Sequence, residues 1–338
     1  MVLFLQNLMK RKRKLKKEKE KENGKEKERE TVFFLIGRKK KPPPGGGGRA
    51  HSIPTASMRL DMCRLHMVKQ TILRSWKGDF HMVKLFDISG QTAIVTGCST
   101  GLGVQMAHAL ANQGCNIVAV ARRLDKLEQV CKELSEQHGV RALPIKCDIT
   151  DTEQVEKAVK QALETFGSIE ILINNAGTGA VAHAENITDE QFEQEFDIDL
   201  FGTFKFARAV ANQAMIPAHY GRIINISSMY GLVGNKVAGS APYHAAKGGV
   251  VNLTRALAAE WAVYGITVNT ICPGYFYTPL TEETLNSPFF QQHAKDTIPM
   301  ERYGHEGELD TSVIFLCSPK STYVTGVALP VDGGYTCI

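Results

Sequence analysis

From residue 90 onward the chain alternates two hydrophobic patterns. Short, nearly continuous apolar runs rich in β-branched residues fall at TAIVTG (92–97), NIVAVA (116–121), RALPIKC (141–147), IEILINNAG (169–177), RIINIS (222–227), ITVNTICPG (266–274) and GVALPVDG (326–333). Between them lie longer stretches whose apolar residues recur every three or four positions, such as DKLEQVCKELSEQHG and DTEQVEKAVKQALETFG. The first pattern is that of strands buried on both faces, the second that of helices burying a single stripe. Asp151 opens the second helical stretch in the place of an N-cap. Seven such strands alternating with helices predict an α/β fold: a doubly wound, parallel seven-stranded sheet with right-handed crossovers, in one domain.

The pattern stops short of the N-terminus. Residues 10–30 alternate Lys, Arg and Glu with almost no apolar residue, and KKKPPPGGGG follows at 39–48. That composition favours neither helix nor strand, so residues 1–81 are expected to form a disordered basic extension. Met82 begins MVKLFDISGQTAIVTG, which leads directly into the first strand, and the catalytic domain is expected at 82–338. Net charge divides the same way. Residues 1–50 carry 17 Lys or Arg against six Glu, a balance of +11, whereas residues 85–338 carry 17 against 27 acids, a balance of −10. An acidic body has no electrostatic footprint for nucleic acid, so no nucleic-acid partner is expected. The eight cysteines form no CxxC pair and no zinc spacing, which predicts reduced, buried thiols and no metal. No segment approaches the roughly 20 apolar residues of a membrane span, so no membrane partner is expected, and the location is expected to be cytoplasmic.

The strand-to-helix junction at TGCSTGLG (96–103) holds glycines at 97, 101 and 103. A glycine-rich turn at the first βα junction of such a sheet is where a dinucleotide binds, because small residues admit the pyrophosphate to the backbone and the helix N-terminus offers free N–H groups. The fold is thereby read as Rossmann-type. The spacing of this turn resembles the TGxxxGxG of the short-chain dehydrogenases/reductases. NNAG at 174–177, a serine in NISS, the pair Tyr243 and Lys247 in YHAAK, CPGYFYTP at 272–279 and VTGVALPVDGG match that family in the same order. The resemblance covers about residues 85–338. It implies an enzyme acting on CH–OH with NAD(P) as acceptor, bound by Gly97, Ser99, Thr100, Gly101, Leu102, Gly103, Asp148, Ile149, Asn175, Ala176, Gly177, Tyr243, Lys247, Pro273, Gly274 and Thr278, and a homo-oligomer, tetramer or dimer.

At the end of the second strand an acidic residue would accept hydrogen bonds from a ribose 2′-OH, whereas arginine suits a 2′-phosphate. Ala121 holds the acidic place and Arg122 and Arg123 follow, so NADP(H) is expected to be preferred, with NAD(H) possible. Reduction of a ketone requires a proton for the oxygen. Tyr243 is suited to give it, and Lys247, four residues on, lies on the same helical face, where its charge favours the phenolate. The resemblance also gives Lys247 the nicotinamide ribose, and gives Ser228 the carbonyl oxygen, with Ser227 the alternative one position away. It further implies an asparagine where FDIDLFGTF has Asp199; this carboxylate either serves the same water-mediated relay or pairs directly with Lys247.

LFDISGQTAIVTGCSTGLG and FDIDLFGTF are similar to segments of the sugar-acid branch of the family, the gluconate 5-dehydrogenase-like and 2-dehydro-3-deoxygluconate 5-dehydrogenase-like members. The expected substrate is thus a small ketone or alcohol, a sugar acid or polyol. Against an acid, Ala180 and Val181 stand where a carboxylate-binding Arg or Lys is expected, and His183 is the nearest polar residue. The alternatives are a 3-oxoacyl-acyl carrier protein reductase and, in another class, a non-catalytic nucleotide sensor; an intact Ser228, Tyr243 and Lys247 speaks against the sensor.

Overall fold

The computed structural model describes residues 85–179, 182–235, 239–279 and 281–338. The expectations placed on the arm 1–81, and on Ala180 and Val181, lie outside them.

Seven strands form a single parallel sheet: β1 Thr92–Thr96, β2 Asn116–Ala121, β3 Ala142–Lys146, β4 Ile171–Asn174, β5 Gly221–Ile226, β6 Ile266–Pro273 and β7 Ala328–Val331. Their order is β3-β2-β1-β4-β5-β6-β7. Each strand coincides with a predicted run to within a few residues at either end. The central strands β1, β4, β5 and β6 are buried at every position, as a sheet covered on both faces requires.

Three helices follow the first three strands: α1 Leu102–Asn112, α2 Leu124–His138 and α3 Thr152–Phe166. Asp151 caps α3 as expected, its carboxylate accepting the N–H groups of Glu153 and Gln154 at 2.9 and 3.2 Å. A helical run from 189 to 218 comprises α4 Asp189–Phe196 and α5 Thr203–Val210, with wider π turns at Asp197–Gly202 and Ala211–Met215. It starts in a capping box between Thr188 and Gln191. Next come α6 Ala241–Trp261, α7 Pro288–Thr297 and α8 Asp310–Cys317.

Successive strand residues point to opposite faces, which divides the core in two. Ala93, Val95, Ile117 and Ala119 pack with Met106, Leu110, Leu127, Leu134 and Val313, from α1, α2 and α8. Ile94, Val118, Val120, Leu172 and Val268 pack with Val155, Val159, Phe206, Val210 and Leu257, from α3, α5 and α6. The strand order reverses direction between β1 and β4, so the loops leaving these two strands diverge and open a crevice at their C-terminal ends, where sheets of this kind bind ligands. Among the described residues no helix is long and apolar enough to cross a membrane.

Candidate active site

The crevice is a cleft of about 660 Å³ lined by Gly97, Ser99, Thr100, Arg122, Arg123, Asp148, Ile149, Asn175, Ala176 and Gly177. These ten expected residues come from the ends of four different strands. Thr96, the last residue of β1, ties two of those ends together. Its hydroxyl oxygen accepts the N–H groups of Asn175 and Ala176, both at 3.0 Å, while the Asn175 side chain donates to the Thr96 carbonyl at 3.0 Å.

The turn fits a dinucleotide. Gly97 and Gly101 have φ of +66° and +67°, and a Cβ on Gly97 would lie 2.8 Å from Ala176 Cα. Gly101 precedes α1 with no side-chain cap, so the first-turn amides of that helix have no side chain to satisfy them. At the end of β2, the Arg123 guanidinium donates to the hydroxyls of Ser99 (2.9 Å) and Thr100 (3.2 Å), which fixes a cation beside the loop. Asp148 lines the cleft with one carboxylate oxygen held by the Thr150 amide and hydroxyl.

Other expected residues also have close packing contacts. Gly103 lies behind the turn, and a Cβ there would stand 2.5 Å from the Gly97 carbonyl oxygen; it is a glycine so that helix and strand can pack. Leu102 packs its side chain against the core. Pro273 is the buried last residue of β6, and Gly274 is pressed against Asp332, whose Cα lies 2.7 Å from where its Cβ would be. Thr278 approaches the turn itself, with its methyl 3.4 Å from a Cβ built on Gly101. The sequence reading missed Cys147, Thr150, Thr178, Gln194, Asp197 and Ile198, which also line the cleft. The last three sit at i, i+3 and i+4 of one helical run, a spacing that marks a shared face but not what that face meets.

The side chains expected to do the chemistry lie just after β5 and on α6. Tyr243 and Lys247 are one turn apart in α6, with the ammonium 5.5 Å from the centroid of the tyrosine ring. Lys247 is 4 % exposed, donates to the Ile226 carbonyl at 3.2 Å and lies 3.4 Å from the Asp199 carboxylate, which is wholly buried. The other Asp199 oxygen accepts the Thr178 N–H at 2.8 Å. Asp199 therefore pairs directly with Lys247, the second of the two arrangements considered. Gly177 admits this pair; a Cβ there would be 2.8 Å from Asp199 Oδ1 and 3.1 Å from Lys247 Nζ.

The two serines are distinguished by their hydrogen bonds. Ser227 spends its proton inside the core, donating to the Lys247 carbonyl at 2.8 Å. The Ser228 oxygen accepts the Tyr230 N–H at 3.1 Å, which leaves its own proton to give. Ser228 is the serine suited to a carbonyl oxygen. His183 is exposed, and among the described residues no cluster of His, Cys, Asp and Glu is arranged to hold a metal ion.

A family model described as enoyl-(acyl carrier protein) reductase matches residues 97–336. Galactitol 2-dehydrogenase (L-tagatose-forming) of Cereibacter sphaeroides is 36 % identical over 75 % of the chain and 97 % of its own length. A short-chain type dehydrogenase/reductase from Mycobacterium marinum, 36 % identical, superposes with a TM-score of 0.72 over 76 % of the chain and 99 % of its own. This chain is a short-chain dehydrogenase/reductase. As such it is an NAD(P)-binding oxidoreductase that interconverts an alcohol and a ketone. Gluconate 5-dehydrogenase of Gluconobacter oxydans is 35 % identical, with 75 % and 97 % covered, and a 3-oxoacyl-[acyl-carrier-protein] reductase of Staphylococcus aureus is 34 % identical, with 72 % and 97 % covered. A gluconate 5-dehydrogenase from Burkholderia cenocepacia, solved in complex with NADP and tartrate, has a TM-score of 0.72 at 34 % identity over 76 % of this chain and all of its own.

Proposed function

We propose that this short-chain dehydrogenase/reductase prefers NADP(H) and acts on a small polyhydroxylated substrate, a sugar acid or polyol, with Ser228, Tyr243 and Lys247 as its catalytic residues. The observation that carries the cofactor preference is Arg123 held over Ser99 and Thr100, with Ala121 in place of an acidic residue. The substrate class is supported by the relatives that act on galactitol and gluconate. The reading includes residues 82–338 as the catalytic unit, a cytoplasmic location and assembly as a homo-oligomer.

In the reducing direction Ser228 donates its proton to the substrate carbonyl oxygen and holds it where negative charge develops. Tyr243 passes its phenolic proton to the same oxygen, and the Lys247 ammonium stabilises the phenolate that remains. A bound nicotinamide supplies the hydride in this direction and accepts it in the other. Asp199 holds Lys247 from the far side and so fixes the position of its charge.

The purified protein, assayed with NADPH and NADH against polyols, sugar acids and 3-oxoacyl thioesters, tests this reading. Turnover of a polyol or sugar acid with NADPH preferred is the expected result. Arg122→Asp and Arg123→Asp should each lower kcat/KM for NADPH relative to NADH by about tenfold or more, since a charge-assisted hydrogen bond is worth about 1.5–3 kcal/mol. Equal use of both cofactors by the unmutated protein overturns the preference, and turnover of the thioesters alone overturns the substrate class.

A further inference from the structure

The Ser228 hydroxyl is held by the amide of a residue whose ring belongs to a separate structure. Tyr230, two residues on, has its ring edge-to-face with Tyr275 (centroids 6.2 Å apart, 88°) and with Tyr335 (6.2 Å, 86°). Tyr275 and Tyr335 meet in the same way (6.1 Å, 86°), so the three rings close a triangle. The Tyr230 and Tyr275 hydroxyls are 2.5 Å apart, and the Tyr275 hydroxyl lies 3.4 Å from His293 Nε2 on α7. Tyr230 also stacks on His244 at 4.6 Å; that imidazole, next to Tyr243 on α6, donates from Nδ1 to the Ser240 carbonyl at 2.8 Å.

Two corners of the triangle lie in the loops that leave strands β5 and β6. The third, Tyr335, is in the C-terminal turn, far from both in sequence, and that turn is fixed independently. The Asp332 carboxylate accepts the N–H groups of Gly334 and Thr336, both at 2.9 Å, and the Thr336 hydroxyl at 2.7 Å. Gly333 and Gly334 fit against Ile298 and Pro299 so closely that a Cβ on either would meet them at 2.9 Å, and Asp332 itself presses on Gly274 beside Tyr275.

We propose that Tyr335 is a positioning residue for the Ser228 hydroxyl, acting through the ring and amide of Tyr230. The C-terminal turn is then part of the active-site frame. This rests on the reading of Ser228 as the donor to the carbonyl oxygen. A ring at 335 limits how far Tyr230 can tilt, and the Tyr230 amide sets where the serine oxygen sits.

The test compares Tyr335→Ala, Tyr335→Leu and Tyr335→Phe in the full chain, with a ketone or alcohol that the unmutated protein turns over. The Ala and Leu variants should lose about tenfold in kcat, less than the roughly hundredfold that a 1 Å misplacement can cause. NADPH affinity, read by fluorescence titration, should stay within about twofold, and Tyr335→Phe should recover kcat to within about twofold. The Leu variant fills the site if the Ala variant does not fold. In a Ser228→Ala background, Tyr335→Leu should have no further effect on kcat, because the group it positions is gone. Undiminished kcat in Tyr335→Leu, a loss that Phe does not recover, or a loss that persists in the Ser228→Ala background overturns the proposal. If the unmutated protein turns over normally and Ser228→Ala changes nothing, it is the serine assignment that fails.

Discussion

At the Lys247 ammonium two effects of opposite sign meet. Burial acts to lower its pKa, but the negative charges of Asp199, Tyr243 and Glu195 act against it, and together they hold it above the ordinary lysine value. The cation is therefore kept throughout the working pH range, at the expense of being partly offset by Asp199. Replacing Asp199 with Asn keeps the shape but removes the foremost of the charges that hold the ammonium protonated, so the Lys247 pKa should fall under the burial that remains. Turnover needs that cation, and the falling limb of the pH–rate profile at high pH should move to lower pH in Asp199→Asn. Superimposable profiles would show that the ion pair has no influence on the proton transfer. Tyr243→Phe, which removes the proton donor and little else, should abolish nearly all turnover while NADPH binding changes by less than about twofold. Substantial residual turnover in that variant would assign the proton to another group.

Among the elements, α1 and the turn before it show how packing and binding share a single glycine motif. Gly97 and Gly101 need their backbone conformation, whereas Gly103 needs only the absence of a side chain, because the Gly97 carbonyl oxygen would be 2.5 Å from its Cβ. Gly103→Ala should lower stability by about 1–3 kcal/mol, the usual cost of overpacking a tight core, and weaken NADPH binding with it. Chemical denaturation and titration of the same samples check both, and unchanged stability would place Gly103 in a looser setting than this. Helix starts were legible where a side chain does the capping, as at Asp151. The π turn at Asp197–Gly202 was not, because its sequence has the same apolar spacing as an ordinary helix; yet that turn carries the buried Asp199.

Across the whole molecule, the two-faced core accounts for the cysteines. Cys98, Cys115, Cys131, Cys147, Cys272 and Cys317 are all buried, and among the described cysteines only Cys337 is exposed. Burial pushes the thiols of Cys131 and Cys147 up to about 12 and that of Cys272 up to about 11, far from the thiolate form that reacts. Alkylation of the folded protein near pH 8 should therefore label Cys337 and spare these six until denaturant is added, as read by peptide mass mapping. Labelling of Cys147 or Cys272 in the folded protein would contradict the burial found here. Cys147 makes the sharper case, since it follows β3 and lines the cleft.

Hydrophobic periodicity was enough to specify seven strands and their parallel arrangement, because burial on two faces leaves a local signature in every strand. The residues of TGCSTGLG, NNAG and YHAAK were legible for a similar reason, being contiguous in the chain. What the chain could not reveal locally were contacts made across it. The bond that occupies the Ser227 proton is one of these, since its acceptor is a carbonyl 20 residues away on α6. Only in the folded molecule does Asp199 meet Lys247, across 48 residues, or Tyr335 reach the turn that holds Ser228. Such pairs leave no period or spacing to read, because they are set by how the helices and the C-terminal turn settle on the finished sheet.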